Sequence, residues 1–446
     1  MKKSALFILF IVFAGVLSFQ KEVLSLSVSQ QVSKPLTPVI LIPGTSRTKL
    51  VYKKNGKIAW GNFRDFFSLQ KRETLALPID STNLRENRGD LVLGGLMEEI
   101  TVIPFIFKVY THKKFLERMQ KIAGYQLGEM ERPKPGDNFF VFVYDWRRSN
   151  EENAERLAQS IERLKTFYGN PETKFDIVAH CSAMYMVRYY ALYGSEDVLD
   201  EKNPQPTNIG ARNIRKLILI SPPYRGTILA FQLMCKGFRP LKPILPFLRS
   251  YTPYEFFTFP SFFEMLPPSG EKIFLDEHGN TLDLDLYDAS NWVRYGWSVF
   301  SSKEQRRLKR KLKHRFRASW KEKFQEENER RLLYLDAVLK RTKAFHQAIN
   351  EETKTISPEV QTYIVILRGG LTLAKVEFSK KKKSLRFKGG SIEHLRFAPG
   401  DQMVTQESMH GHYKEQIPQE VFLNGKHRQM ANSRVMHFKV MELLFE

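Results

Sequence analysis

The ten residues FDIVAHCSAM, 175–184, constrain the fold more than any other stretch of this chain. An apolar run ends in a small residue, and a nucleophile-type residue and a second small residue follow it. This is the spacing of a nucleophile elbow, G-x-S-x-G, a sharp strand-to-helix turn whose strained central residue needs small neighbours at minus two and plus two. Ala179 and Ala183 meet that requirement around Cys181, while the corresponding neighbours of Ser182 are too large. The spacing therefore nominates Cys181 as a nucleophile; the alternative is a buried strand followed by a helix, with an inert cysteine between them.

Further apolar runs alternate with a helical pattern along the chain. A strand that runs into a Pro-Gly loop is predicted within 38–45, further strands are predicted at 139–146, 175–179, 214–220 and 360–367, and a helix is predicted at 151–168. Strands that alternate with helices form a parallel sheet, so the fold class is α/β. Lys380–Lys383 separates two alternating runs, 371–378 and 385–387, and we interpret it as a hairpin turn.

A long segment of different composition lies between the fourth and fifth predicted strands. It is too long for an ordinary connection, and we interpret residues 225–350 as a mostly helical cap inserted into a core of residues 36–224 and 351–446. We expect this cap at the carboxyl edge of the sheet, where sites in such folds are built. Aromatic side chains are expected to line an acyl pocket there: Phe256, Phe257, Phe262, Phe263, Trp292 and Trp297.

The first twenty residues have the pattern of an export signal. Lys2 and Lys3 precede an apolar run that is too short for a comfortable membrane span and that ends near a small-residue cleavage pattern. Residues 1–20 are therefore interpreted as a signal peptide, or as an uncleaved signal anchor. The expected location is exported: periplasmic, extracellular or membrane-associated.

The formal net charge of +22 suits association with anionic lipid, and equally with nucleic acid. Residues 303–323 combine basic side chains with an apolar stripe that includes Leu308 and Leu312, as in a helix that lies on an anionic membrane. A cap helix that packs through the same stripe is the alternative interpretation. No aromatic platform or known nucleic-acid module accompanies the basic charge, so we expect no nucleic-acid partner.

Five short passages carry a family resemblance. They are VILIPG at 39–44, YDWR at 144–147, the elbow at 179–183, GDQMV at 400–404 and HRQM at 427–430. Together they resemble the lecithin:cholesterol acyltransferase family of α/β-hydrolases and its bacterial lipase-like relatives, over roughly residues 36–446. The resemblance implies an α/β-hydrolase fold with a mostly parallel central sheet flanked by helices. The chain departs from the family pattern in two motifs: Cys181 replaces the serine of the elbow, and Gln402-Met403 replaces the Gly-Thr that follows the aspartate.

The resemblance implies a catalytic triad of Cys181, Asp401 and His427, in the nucleophile–acid–histidine order of α/β-hydrolases. His427 would take the thiol proton and Asp401 would fix the tautomer of the imidazole. The backbone N–H groups of Thr45 and Ser182 would form the oxyanion hole.

Alternatives stay open for each of these residues. Asp401 is otherwise a loop-capping carboxylate, and His427 a surface histidine with His410 and His412 as competitors for its role. Trp146 of the YDWR passage is a candidate substrate-binding residue that faces the acyl chain. In the alternative it is a packing residue, with Asp145 and Arg147 as a structural ion pair.

Two function classes follow. The first is a lipid acyltransferase or a lipase or phospholipase that works through an acyl-enzyme at Cys181; a cysteine elbow also resembles that of polyhydroxyalkanoate synthases. The second is a catalytically inactive α/β-hydrolase-like protein that binds lipid or a protein partner. The only other cysteine is Cys235, so a single disulfide with Cys181 is the only bridge that the chain could form. We expect no metal and no cofactor, since the sequence has no paired Cys/His metal spacing and no nucleotide or phosphate loop.

Overall fold

A computed structural model describes residues 36–61, 74–103, 107–110, 112–238, 251–350, 352–413 and 418–446. The predicted export signal, 1–20, lies outside the described residues.

The strands are, in chain order, β1 Val39–Ile42, β2 Thr48–Tyr52, β3 Ile58–Trp60, β4 Leu91–Leu96, β5 Glu99–Ile103, β6 Phe107–Tyr110, β7 Leu127–Gly128, β8 Phe139–Val141, β9 Phe175–His180, β10 Ile214–Ile220, β11 Phe274–Leu275, β12 Thr281–Leu282, β13 Gln361–Arg368, β14 Gly370–Leu373, β15 Val376–Ser379, β16 Ser384–Arg386, β17 Phe397–Gly400 and β18 Gln419–Asn424. The helices are α1 Lys113–Lys121, α2 Asn150–Tyr168, α3 Ala183–Tyr193, α4 Ile228–Lys236, α5 Pro253–Phe257, α6 Pro260–Glu264, α7 Ala289–Tyr295, α8 Ser302–Phe316, α9 Trp320–Ala348, α10 Gln406–His410 and α11 Arg434–Phe445.

Seven strands form the central sheet, in the order β18-β13-β10-β9-β1-β8-β7. All of its pairs are parallel. The inner strands β1 and β9 are buried along their whole length, which is why β1 is entirely apolar and β9 mostly apolar in sequence. The predicted α/β-hydrolase fold, a parallel sheet flanked by helices, is confirmed.

Helix α2 is capped at both ends by residues that commonly start and end helices. Ser149 caps α2 by accepting a hydrogen bond from the Glu152 N–H, and Gly169 ends the helix in the left-handed conformation. Helix α11 packs back on the sheet: the Lys216 Nζ on β10 donates to the Leu443 carbonyl at 2.8 Å. The α11 contact ties the C-terminal helix to β10, the strand that ends beside the candidate site.

Two of the strand predictions need correction. The run 139–146 is a strand only to Val141, because the chain then turns through the YDWR passage. Lys380–Lys383 is a hairpin turn as predicted, but it joins only β15 and β16; the preceding β14 pairs with β17 instead.

The segment 225–350 lies between β10 and β13 and contains α4 to α9. It contributes no strand to the central sheet, but its strand β11 pairs with β15, which belongs to the segment 351–446. Its last two helices, α8 and α9, pack against each other as an antiparallel hairpin. In the described residues, no helix is both long enough and apolar enough to span a membrane.

Candidate active site

Cys181 stands on the strained turn that the sequence predicts. Strand β9 ends one residue before it, α3 begins two residues after it, and its φ angle of 56° lies in the left-handed region. Its N–H donates to the Ile220 carbonyl at 2.8 Å, which ties the turn to the end of β10. Ala179 and Ala183 are fully buried, so there is no space for larger side chains at these positions. The turn is that of a nucleophile elbow, and it leaves Cys181 partly exposed.

His427 and Asp401 meet behind this turn. The His427 Nδ1 lies 2.5 Å from the Asp401 Oδ2, and its own backbone N–H donates to the Asp401 carbonyl at 3.0 Å. The side chain of His427 is also hydrogen-bonded to Cys181. Strand β18 delivers His427, because it pairs with β13 and ends at Asn424 beside the loop that carries Asp401. The structure thus brings Cys181, His427 and Asp401 together in the order in which a triad works.

The charges of this group support one another. Burial alone would lower the pKa of His427, but its interactions with the neighbouring Cys181 and Asp401 side chains raise it to about 10. Burial would likewise raise the pKa of Asp401, yet the neighbouring imidazolium and hydrogen bonds from the Val404 and Met403 N–H groups lower it. Asp401, with 0% exposure, is therefore a buried carboxylate held in its charged form beside a charged imidazole.

Two residues that the sequence did not nominate lie against Asp401 and His427. Ser221, at the end of β10 with a φ of 49°, donates from its Oγ to the Asp401 Oδ2 at 2.9 Å. Its only sequence signal is its position directly after a predicted strand. His180 stacks its ring on that of His427, at a centroid distance of 4.9 Å. Its signal is its place inside the elbow.

The predicted oxyanion-hole residues also lie side by side. The Thr45 N–H donates to the Ser182 Oγ at 3.0 Å, and the two hydroxyl oxygens are 2.5 Å apart. Ser182 is the N-cap residue of α3, so its own N–H has no partner within that helix. Gly44 explains the close approach of the Thr45 loop: a Cβ on Gly44 would lie 3.0 Å from the His180 carbonyl oxygen and 3.1 Å from the Cys181 Cβ.

The competing histidines are engaged elsewhere. The His410 Nδ1 lies 2.6 Å from the Glu420 Oε1, and the His412 Nδ1 lies 3.4 Å from the Glu352 Oε1. His427 is the histidine of the three that contacts Asp401.

The YDWR passage has a structural arrangement. The Arg147 guanidinium donates to both carboxylate oxygens of Asp145, at 3.0 and 2.7 Å, and to the Leu75 carbonyl at 3.0 Å. Trp146 is only 3% exposed; its Nε1 donates to the Thr48 carbonyl, and its ring packs between two other aromatic rings. This placement favours the packing interpretation of Trp146 over the one in which it faces the acyl chain.

The segment 225–350 contacts loops that follow strands of the central sheet. The Ser261 Oγ donates to the Trp146 carbonyl at 2.6 Å, and the Thr45 Oγ1 lies 3.8 Å from the Met265 Sδ. The expected aromatic lining is wrong, however. The six aromatic residues nominated in the sequence are buried against one another and neighbouring rings, and form the core of the cap: Phe256, Phe257, Phe262, Phe263, Trp292 and Trp297.

A cavity of about 270 Å³ does open beside α3, but its walls are more polar than expected. They include Met184, Tyr224, Arg225, Lys343 and His346. Met184 places this cavity close to the elbow, although Cys181 itself does not line it.

Cys181 and Cys235 are both free, so the disulfide that the sequence left open is not formed. Burial raises the pKa of Cys235 to about 12, and this thiol is therefore protonated and unreactive at neutral pH. Within the described ranges, no group of three or more His, Cys, Asp or Glu side chains is placed to hold a metal ion.

Comparison with known proteins agrees with this geometry. The family model of lecithin:cholesterol acyltransferase matches residues 110–429. Among solved structures, a chain of the Tle4–Tli4 complex is 11% identical, with a TM-score of 0.52 over 93% of this chain and 98% of that one. Lipase 1 from Pelosinus fermentans is 13% identical, with a TM-score of 0.33 over 92% of this chain and 98% of that one.

The first of these structures supports the fold alone, because its sequence identity is low. No curated protein sequence matches the chain. The family match covers most of the chain and includes the elbow, Asp401 and His427. The chain therefore belongs to the lecithin:cholesterol acyltransferase family, and is an acyl-transferring or ester-hydrolysing enzyme of lipids.

Proposed function

We propose that this protein transfers an acyl group from a lipid ester through a thioester formed on Cys181. The observation that carries the proposal is one arrangement: a cysteine at a φ of 56° on an elbow, hydrogen-bonded to His427, which Asp401 holds at 2.5 Å. A buried cysteine without a role needs neither the strained backbone nor a charged partner pair.

In the proposed first step, the thiolate of Cys181 attacks the carbonyl carbon of the ester while the His427 imidazolium stands beside it. Negative charge then develops on the carbonyl oxygen, which accepts hydrogen bonds from the Thr45 and Ser182 N–H groups. When the tetrahedral intermediate collapses, the C–O bond breaks and His427 gives its proton to the leaving alkoxide. The products are a free alcohol and a thioester on Cys181.

In the second step, His427 takes the proton of an incoming hydroxyl as that oxygen attacks the thioester carbonyl. Collapse breaks the C–S bond and releases the Cys181 thiolate. An alcohol as the acceptor gives a new ester, and water gives a fatty acid. The same residues serve both outcomes, and the occupancy of the acceptor site decides between them.

The decisive experiment is to trap the acyl-enzyme. Incubation with a p-nitrophenyl acyl ester should add one acyl mass, mapped by peptide mass spectrometry to Cys181, and neutral hydroxylamine should remove it because it cleaves thioesters. Cys235→Ala is the matched control and should be acylated like the parent. Cys181→Ala should remain unmodified, and Cys181→Ser should form a small amount of hydroxylamine-resistant oxygen ester. An unmodified Cys181 in a parent protein that still binds lipid would identify the inactive α/β-hydrolase alternative instead.

We also propose that helix α8 and the tip of the α8–α9 hairpin approach an anionic lipid surface. The apolar stripe expected for this contact is used internally, since Leu308 and Leu312 are buried. The outer face of α8 is basic and exposed, and at the tip the Trp320 ring is flanked by the Lys309 and Lys313 ammonium groups, which lie 5.1 and 4.8 Å from its centroid. A cationic surface with an aromatic tip is suited to anionic headgroups.

Vesicle binding tests this contact. Reversal of Arg306, Arg310 and Arg315 to Glu should weaken binding to phosphatidylglycerol vesicles at least tenfold, and added salt should weaken binding of the parent. The matched control reverses Lys380, Lys381 and Lys382 to Glu in the β15–β16 turn, which gives the same net charge on another surface. Equal losses in both triple variants would show a general charge effect and would contradict docking through α8.

We further propose that residues 1–20 direct export, because two lysines precede a short apolar run. Deletion of residues 2–20 should keep the protein inside the producing cell. The N-terminal sequence of the exported protein shows whether the signal is cleaved.

A further inference from the structure

The oxyanion-hole donor of the Thr45 loop is occupied in this structure by a side chain of the protein itself. The Thr45 N–H donates to the Ser182 Oγ at 3.0 Å, within the range that an oxyanion would take up. The two hydroxyl oxygens of the pair are 2.5 Å apart, so the Ser182 side chain is held from two directions. A substrate carbonyl oxygen that uses the Thr45 N–H must first displace the Ser182 hydroxyl.

The hydroxyl groups of Ser182 and Thr45 form a chain of hydrogen bonds in which each hydroxyl can donate to the next acceptor. Ser182 accepts from the Thr45 N–H and can donate its own proton to the Thr45 Oγ1. The Thr45 hydroxyl then donates to the Met265 Sδ at 3.8 Å, which is a contact with the cap. The occupied hole is thus connected to the residues that cover the site.

Tyr144 is positioned to form a hydrogen bond with the Ser182 hydroxyl once that hydroxyl leaves the Thr45 N–H. Tyr144, 2% exposed, places its hydroxyl beside Ser182 and Cys181. Within the described part of the chain, the Tyr144 Oη makes no hydrogen bond of good geometry. The Tyr144 hydroxyl already interacts with the Ser182 side chain, although without a well-aligned hydrogen bond. A rotation of Ser182 that aligns this hydrogen bond recovers part of what the lost Thr45 contact supplied.

We propose that the Ser182 hydroxyl occupies the oxyanion hole of the free protein and releases the Thr45 N–H to the substrate by turning to Tyr144. The inference rests on the proposed acyl transfer at Cys181. Ser182 is a positioning residue in this scheme: it does not bond to the substrate through its hydroxyl. An oxygen that gains negative charge accepts more strongly than a neutral hydroxyl does, so the exchange is most favourable as the tetrahedral intermediate forms.

The first arm of the test measures the resting protein and needs no turnover. The Thr45 amide resonance is followed by NMR in the full chain labelled with ¹⁵N-threonine, and is assigned by its loss in Thr45→Ser. Ser182→Ala should change its chemical shift and speed its hydrogen exchange at least tenfold, while Ser160→Ala, another buried serine, should leave it unchanged. An unaltered Thr45 amide in Ser182→Ala would overturn the inference.

The second arm measures the rate of Cys181 acylation by a p-nitrophenyl ester, and compares it with alkylation by iodoacetamide, which needs no oxyanion hole. Ser182→Ala should speed acylation by about two- to tenfold, the equivalent of one hydrogen bond, and leave alkylation unchanged. Tyr144→Phe should slow acylation several-fold in the parent but have no effect in Ser182→Ala.

A tenfold or larger loss of acylation in Ser182→Ala would mean that the hydroxyl stabilises the transition state, and would overturn the inference while the acyl-enzyme stands. A parent protein that forms no adduct, although its Thr45 amide responds as expected, would instead overturn the proposed function.

Discussion

The imidazole rings of His180 and His427 stack with their planes at 30°, and only one of them carries the charge. Burial, and next to it the charge on His427, hold the pKa of His180 well below its usual value. His427 has the Asp401 carboxylate as its partner, whereas the His180 Nε2 has no hydrogen-bond partner among the described residues. The two stacked histidines therefore differ in charge and in hydrogen bonding, and we expect only His427 to act as a base.

This difference gives a matched pair of variants. Replacement of His427 by Phe keeps the ring stack but removes the base, and should lower the rate of acyl transfer by about 10³-fold or more. His180→Phe keeps an aromatic ring and should retain activity within about tenfold. Rates of Cys181 acylation, with circular dichroism to confirm folding, decide the matter. Equal losses in both variants would show that His427 acts only as a packing residue.

Asp401 and Ser221 form the second pair. Asp401→Asn removes the charge that holds the His427 tautomer and should lower kcat by about 10⁴-fold. Ser221→Ala removes one of several hydrogen bonds to the same carboxylate and should cost about tenfold or less. Steady-state ester turnover measures both. A Ser221→Ala loss as large as that of Asp401→Asn would contradict the assignment of Asp401 as the residue that orients the histidine.

The buried carboxyl group of Glu264 should make the free energy of unfolding depend on pH, independently of catalysis. Its carboxyl group accepts hydrogen bonds from the Asn150 N–H and Nδ2 at the start of α2, and burial raises its pKa to about 8. A folded-state pKa above the unfolded value means that the folded protein binds the extra proton. The stability that this proton supplies is complete below pH ~4.5 and is lost as the pH rises to about 8.

Glu264→Gln keeps an acceptor without the titration, so its free energy of unfolding should fall less over that window. We expect the difference from the parent to change by at least ~1.4 kcal/mol, which corresponds to one pKa unit. Urea unfolding at pH 5 and pH 8 measures it, with the exposed Glu172→Gln as control. Parallel pH profiles for the parent and Glu264→Gln would contradict a buried, protonated Glu264.

Substitution of Gly44 tests whether the site needs the close approach of the Thr45 loop to the elbow at Cys181. A Cβ there would lie 3.0 Å from the His180 carbonyl oxygen and 3.1 Å from the Cys181 Cβ, and both atoms belong to a turn whose Cys181 N–H is hydrogen-bonded to the end of β10. Gly44→Ala should therefore cost about 1–3 kcal/mol of stability and lower acylation of Cys181 by more than tenfold. In Gly89→Ala, the control, the nearest atom lies 3.6 Å away and no positive φ is involved, so both properties should be kept. Parent-like acylation in Gly44→Ala would mean that the loop spacing is not needed for the site.

The sequence predicts this fold well where burial dominates. Strand β1 is apolar throughout and β9 and β10 are mostly apolar, because both faces of the sheet are covered. The elbow has small residues at 179 and 183 because the strained turn at Cys181 requires them. Asp401 and His427 could be nominated because short passages resembled those of a family.

Properties that depend on three-dimensional neighbours could not be read in this way. Phe263 and Trp292 have the composition of a lipid pocket, yet they pack on each other, and periodicity does not distinguish a pocket lining from a cap core. The Ser182 contact with Thr45 joins residues that are far apart in the chain. The polar contacts of Ser221 and Tyr144 likewise follow from how neighbouring strands end, which no local pattern records.

His427 follows β18, which is among the last parts of the chain to be synthesised, and this affects when the site can form. Strand β18 is the outermost strand on its side of the sheet, and it adds to β13 only after almost the whole chain has been made. A ribosome therefore completes Cys181 and the elbow long before it makes His427, the proposed base. A partly made chain, or one cut by a protease ahead of residue 419, contains Cys181 without its histidine. If Cys181 and His427 act together as proposed, such fragments lack acyl-transfer activity, and the site is completed only when the chain is nearly finished.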